Sequence, residues 1–180
     1  MNTDVTNVDN LVTAIFPDRS SAEAAIQASY ARGYSRDDID MVMSDDTKAR
    51  YFPNDEVSDS TDLGHKAAEG AGVGGAIGGT VGAVLAAIAA VGTSLALPGL
   101  GLVIAGPLAA AAAGAGVGAA GGGLLGALIG WKIPEDRVQS YEEAIKSGGI
   151  LLGVHAKSTE DAQYLEQAWS HNNAQLAYFR

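Results

Sequence analysis

Residues 70–131 read GAGVGGAIGGTVGAVLAAIAAVGTSLALPGLGLVIAGPLAAAAAGAGVGAAGGGLLGALIGW, with no charged residue and no histidine between Glu69 and Lys132. Small residues recur at every fourth position in two series. The first is Gly70, Gly74, Gly78, Gly82, Ala86, Ala90 and Ser94, and the second is Gly106, Ala110, Gly114, Gly118, Gly122, Gly126 and Gly130. Glycine in a helix interior costs ~1 kcal/mol against alanine, so the spacing is not chosen for helix propensity. It suits close backbone approach between packed helices.

At about 1.5 Å per helical residue, 70–97 and 102–130 are each long enough to cross a hydrocarbon layer of roughly 30 Å. Pro98-Gly99-Leu100-Gly101 separates them, and Pro107 restricts the start of the second. The expectation is an α-helical hairpin whose packing residues are Gly70, Gly74, Gly78, Gly82, Ala86, Gly106, Gly114, Gly118, Gly122, Gly126 and Gly130. Its tip would hold Pro98, Leu100, Leu102, Val103, Ile104 and Pro107. An apolar tip is unusual for a translocated loop and asks for burial, in a re-entrant hairpin or a protein assembly. Trp131 beside Lys132 has the pattern of an interfacial anchor, or of a core tryptophan at a helix end. Three readings of the insert stay open: a membrane-inserted hairpin, a self-assembled particle or filament, and the dry core of a soluble bundle. Alanine and glycine contribute little to insertion, which weakens a simple double span.

The flanks carry all the charge, 21 acidic against 11 basic residues for a net −10. Nucleic-acid binding needs clustered Lys and Arg, which this balance opposes. Without cysteine there is no disulfide scaffold and no thiolate metal site. Residues 1–10 form a polar, acidic and flexible N-terminus without the basic start and apolar core of an export signal, so a cytoplasmic flanking domain is expected.

Leu11–Phe16 reads as a buried strand, and Pro17-Asp18 breaks it. Ser20 and Glu23 have capping-box spacing for a helix to about Arg32, with Gly33 placed as a left-handed cap. Ile39 to Met43 has strand character, closing a β-α-β half over 11–43. Residues 44–69 are turn-rich and read as a polar linker with one helical turn near Lys48 to Tyr51. In 132–180, Pro134, Glu135 and Asp136 open a helix with Val138, Tyr141, Ala144 and Ile145 on its buried face. Gly148-Gly149 stops it. Ile150 to His155, a helix capped by Ser158 or Thr159, and Ala174 to Phe179 supply a second β-α-β unit. Two such units imply an α+β, ferredoxin-like split sheet of four antiparallel strands with helices on one face, interrupted by the hairpin at 70–131.

The runs AIFPDRSSAEAAI, GYSRDDI and IPEDRVQSYEEAIKSGGILLGV, together with the glycine-rich centre, resemble bacterial general-stress or low-temperature-induced proteins with a YflT-like domain. The likeness spans about residues 11–170 and implies a stress-linked role, with no catalytic motif to transfer.

Chemical motifs are weak. Gly70-Ala71-Gly72-Val73-Gly74-Gly75 and Gly116-Val117-Gly118-Ala119-Ala120-Gly121 fit the dinucleotide fingerprint, but neither follows a strand. Asp37, Asp38, Asp40, Asp45 and Asp46 lack calcium-loop spacing, and His65, His155 and His171 lack ligand-spaced partners. No catalytic residue, metal site or cofactor is expected. The resulting expectation is a non-enzymatic structural protein that homo-oligomerises through the hairpin, with lipid or membrane as a further partner. The competing class is a soluble ligand-binding or regulatory module in which the hairpin is only core.

Overall fold

Leu11–Phe16 (β1) is apolar except at Thr13, and all six residues are buried. A strand apolar on both faces calls for cover on both faces, and the architecture supplies it. The computed structural model describes residues 10–51, 94–97, 101–107, 109 and 133–179. The helix Arg19–Ala31 (α1) follows β1, and a short 3₁₀ turn, Arg36–Asp38, leads into Ile39–Ser44 (β2). Asp45–Tyr51 (α2) comes next, then Ser94–Leu97 (β3) and Leu102–Ala105 (β4). Glu135–Lys146 (α3), Ile150–His155 (β5), Thr159–His171 (α4) and Gln175–Phe179 (β6) complete the order.

The six strands form one sheet in the order β3-β4-β2-β5-β1-β6, each neighbouring pair antiparallel, which corrects the four strands expected: β3 and β4, from the uncharged run, add two beside β2. β1 and β2 are separated by β5, and β5 and β6 by β1, so each β-α-β half is split by a strand of the other. This is an α+β fold, as the two halves of the sequence suggest.

Val12, Ala14, Phe16, Met41, Met43, Leu152 and Val154 face α1 and α4, which contribute Ala22, Ala25, Ile26, Ala162, Leu165 and Trp169. Leu11, Ile15, Val42, Ile104 and Leu151 face the other way, against Val138, Tyr141 and Ile145 of α3. The expectation of helices on one face is therefore corrected. α3 covers the second face because β1 and β5 are apolar at successive, not alternate, positions.

The helix ends follow local chemistry. Asp18 caps α1, its carboxylate accepting from the Ser21 amide at 2.8 Å and from the Ser20 hydroxyl. That replaces the expected Ser20–Glu23 box; a carboxylate just before the helix satisfies the same orphan amide and complements the positive helix end. Glu23 instead pairs with Arg19 at 2.6 Å. Gly33, at φ 92°, ends α1: its amide donates to the Tyr30 carbonyl and the Tyr34 amide to the Ser29 carbonyl. Gly148 at φ 100° ends α3 in the same way, and Ser158 caps α4.

Two expectations about the middle of the chain change. Residues 45–51 of the polar linker are a two-turn helix, α2. Leu102, Val103 and Ile104, expected at a helical-hairpin tip, form β4 and pair with Ser44, Met43 and Val42. Four aliphatic residues between Gly101 (φ 63°) and Gly106 (φ 101°) are a short apolar run bounded by turns, which is strand grammar. The 70–131 segment is thus not one uninterrupted helical hairpin.

Candidate assembly site at the base of the insert

The uncharged segment returns to the folded domain midway, where β4 lies between β2 and β3. Leu102 to Ala105 are each 5% exposed or less, so β4 belongs to the core. Gly101 turns the chain into β4, and its carbonyl accepts the amide of Asp45, the first residue of α2, at 2.8 Å. α2 and β4 are held together there.

Gly106, expected on a helix-packing stripe, sits instead at the end of β4, where a Cβ would stand 2.4 Å from the Ile39 carbonyl oxygen and 2.9 Å from Asp40 Cα. Close backbone approach is indeed what this glycine serves, but the neighbour is strand β2. Pro107 is exposed, and Ala109 is buried in the cluster beneath α3. Ile133 lies in that same cluster, so the chain enters residues 110–132 and leaves them from one apolar patch.

The first exit is clamped as well. The Arg19 guanidinium donates from Nη1 to the Tyr51 carbonyl at 2.6 Å while its Nε holds Glu23 at 2.6 Å. Glu23 is 5% exposed, and its pairing there fits the rule that buried charges have partners. Through Arg19, α1 grips the last described residue before 52–93.

Of the remaining residues singled out from the sequence, Gly70, Gly74, Gly78, Gly82, Ala86, Pro98, Leu100, Gly114, Gly118, Gly122, Gly126, Gly130, Trp131 and Lys132 lie outside the described residues. No helix among the described residues is long and apolar enough to cross a membrane.

Sequence reasoning missed two polar networks that join distant segments. Asp161 of α4 accepts from Arg32 Nε at 2.8 Å and from the Tyr34 hydroxyl at 3.0 Å, and the Lys157 amide donates to the same hydroxyl at 2.9 Å. The hydrogen bond from Arg32, reinforced by the one from Tyr34, holds the Asp161 carboxyl below its ordinary pKa. Burial raises the Tyr34 hydroxyl. On the other face the buried Tyr141 hydroxyl lies 2.9 Å from Thr13 Oγ1 and donates to the Leu176 carbonyl at 2.9 Å. Burial raises its pKa too. These groups fasten helix ends and strands to one another, which is a structural use of their hydrogen bonds. Among the described residues no three His, Cys, Asp or Glu side chains gather to hold a metal.

No family model, curated protein or solved structure matches the chain.

Proposed function

We propose that this is a non-enzymatic, stress-associated structural protein that homo-oligomerises through the uncharged segments flanking β3 and β4. The ferredoxin-like split sheet is its carrier domain. One observation supports the reading most: β4, from the middle of the uncharged run, is built into the sheet between β2 and β3. The insert is thereby fastened at its middle, and the chain is held at Tyr51 before it and at Ile133 after it.

That anchoring reshapes the membrane alternative. Residues 110–132 begin and end at one cluster, and 52–93 run from the clamped Tyr51 to β3. A segment tied to one domain at both ends enters and leaves apolar material on the same side. Insertion would be re-entrant, beneath a cytoplasmic domain; without lipid, the same segments would bury each other in a cytoplasmic assembly. The small-residue series lets backbones approach in either case. The stress association is carried by the motif resemblance.

The competing module, in which the sheet binds a small ligand, has less support. α1 and α4 occupy one face of the sheet and α3 the other.

The test is size and lipid content. Detergent-free lysate is sedimented, and purified protein is examined by light scattering and lipid extraction. Large particles or pelleted material are expected, and Gly78→Leu with Gly118→Leu should shrink them while far-UV circular dichroism keeps the flanking signal. A wild-type chain that remains a small monomer at high concentration would overturn the proposal.

A further inference from the structure

Two carboxylates are buried among the described residues, Glu23 and Asp40. Glu23 is held by Arg19. Asp40 lies in β2, 2% exposed, on the same side of the strand as Val42 and so on the face that α3 covers. Its cross-strand neighbours bring no side chain to it. Gly153 of β5 is paired opposite it, and because Met41 faces Ala105, the residue beside Asp40 on the other flank is Gly106. Beyond Gly153 the row reaches Thr13, where the pairing of β1 with β6 slips into a bulge and whose hydroxyl is taken by Tyr141 at 2.9 Å.

The backbone that closes on Asp40 is the start of a helical turn. Pro107 and Ala109 are helical, and the Ala109 amide donates to the Gly106 carbonyl at 3.0 Å. That bond makes Gly106 the cap residue and puts Pro107 at the first helical position, where its missing amide is harmless. A cap residue ordinarily lends a side-chain oxygen to the amides of the first turn. Glycine has none to lend. Asp40 Oδ1 stands 2.9 Å from the point where a Gly106 Cβ would be, in the space that a cap's own side chain would fill. A buried carboxylate must have partners, and Asp40 is not without one.

We propose that Asp40 is a positioning residue for the insert: its carboxylate acts as the N-cap of the turn that begins at Pro107, in place of the side chain that Gly106 lacks. Strand β2 thereby fixes the point at which the chain leaves β4 and enters residues 110–132. A negative group at the start of a helix also complements the positive end of its dipole. The inference deepens the proposed assembly, since it names the side chain that sets the base of one uncharged segment.

The test is hydrogen exchange read by mass spectrometry on full-length Asp40→Ala and Asp40→Asn, with peptides covering 102–109 and, as control, 159–171 of α4. Asparagine caps a helix about as well as aspartate, whereas alanine does not. Asp40→Ala should speed exchange in 102–109 roughly fivefold or more, with α4 unchanged. Asp40→Asn should stay within about twofold of wild type. Unchanged exchange in 102–109 for Asp40→Ala would overturn the cap. So would an Asp40→Asn variant as exposed there as Asp40→Ala, since the charge rather than the acceptor would then be what matters. If Asp40→Ala loses α4 protection as well, the Asp40→Asn result decides in the same way. Light scattering on the same samples separates this inference from the assembly itself: a wild-type monomer whose variants follow the expected exchange pattern would overturn assembly and leave the cap standing.

Discussion

Trp169 of α4 donates its indole Nε1–H to the Ala25 carbonyl of α1 at 3.1 Å, sharing that proton with Ser29 Oγ, also at 3.1 Å. The ring is fully buried and meets Phe16 of β1 edge-on, with centroids 5.7 Å apart. One side chain therefore ties both helices of the first layer to the sheet. Trp169→Phe keeps an aromatic body but removes the donor and leaves a gap. A loss of about 2–4 kcal/mol is expected by urea denaturation, combining the hydrogen bond with the cavity. A change under about 0.5 kcal/mol would show that the bond contributes little.

Tyr141 does the corresponding work on the second face. Its hydroxyl joins Thr13 of β1 to the Leu176 carbonyl in the β6 bulge. Tyr141→Phe strands a buried threonine hydroxyl, and a loss of about 1–3 kcal/mol is expected. Leu176 itself is 44% exposed and holds φ 51°, a left-handed conformation costing a non-glycine residue roughly 1–2 kcal/mol. Leu176→Gly should accordingly raise the thermal midpoint, while Leu176→Val should lower it. A fall for both would mean that the leucine side chain contributes more than its backbone costs.

Much of this frame is visible in the sequence. The continuous apolar run of β1, the glycines at 33 and 148, and the serine before α4 each carry a local physical requirement, and each element stands where that requirement places it. The position of α3 is legible in principle, since β1 is apolar on both faces. The Thr13–Tyr141 contact is not: it joins residues 128 apart, and no local pattern encodes it. β3 and β4 are hidden for another reason. Their aliphatic residues lie within a run uncharged on every side, so the usual contrast between apolar and polar positions is missing, and four-residue glycine spacing suggests a helix throughout.

Stability should depend on pH at both extremes. The Asp161 carboxyl is lowered chiefly by the Arg32 hydrogen bond, and Asp18 chiefly by the Ser20 hydroxyl and the Ser21 amide. Groups with a depressed folded pKa stabilise the fold above their ordinary value near about 4 and lose that contribution as pH falls through the folded value. Tyr141 and Tyr34 are raised, mainly by burial. Their contribution is complete below the ordinary tyrosine value near about 10 and is lost as pH rises through the raised one. Urea midpoints measured across pH should form a plateau between these limits. Asp161→Asn should weaken the acid limb and, because Asp161 also helps burial to raise Tyr34, reduce the Tyr34 part of the alkaline limb while leaving that of Tyr141; an unaltered acid limb would contradict the assigned role of Arg32.

Two glycines of the insert separate the strand geometry from a helical zipper. Gly101 has φ 63° with open space where a Cβ would stand, whereas at Gly106, φ 101°, that atom would strike the Ile39 carbonyl oxygen at 2.4 Å. Gly101→Ala should therefore cost only the strain of a left-handed alanine, about 1–2 kcal/mol. Gly106→Ala adds a backbone collision that no side-chain rotation relieves, and it should cost more than Gly101→Ala and loosen β4 from β2. On an exposed helix face the sign reverses, because replacing glycine by alanine there stabilises by ~1 kcal/mol. Hydrogen exchange at the Met43 and Val103 amides reports whether the strands separate, and urea denaturation gives the sign. A stabilised Gly106→Ala variant would remove the strand from this position and restore the helical stripe.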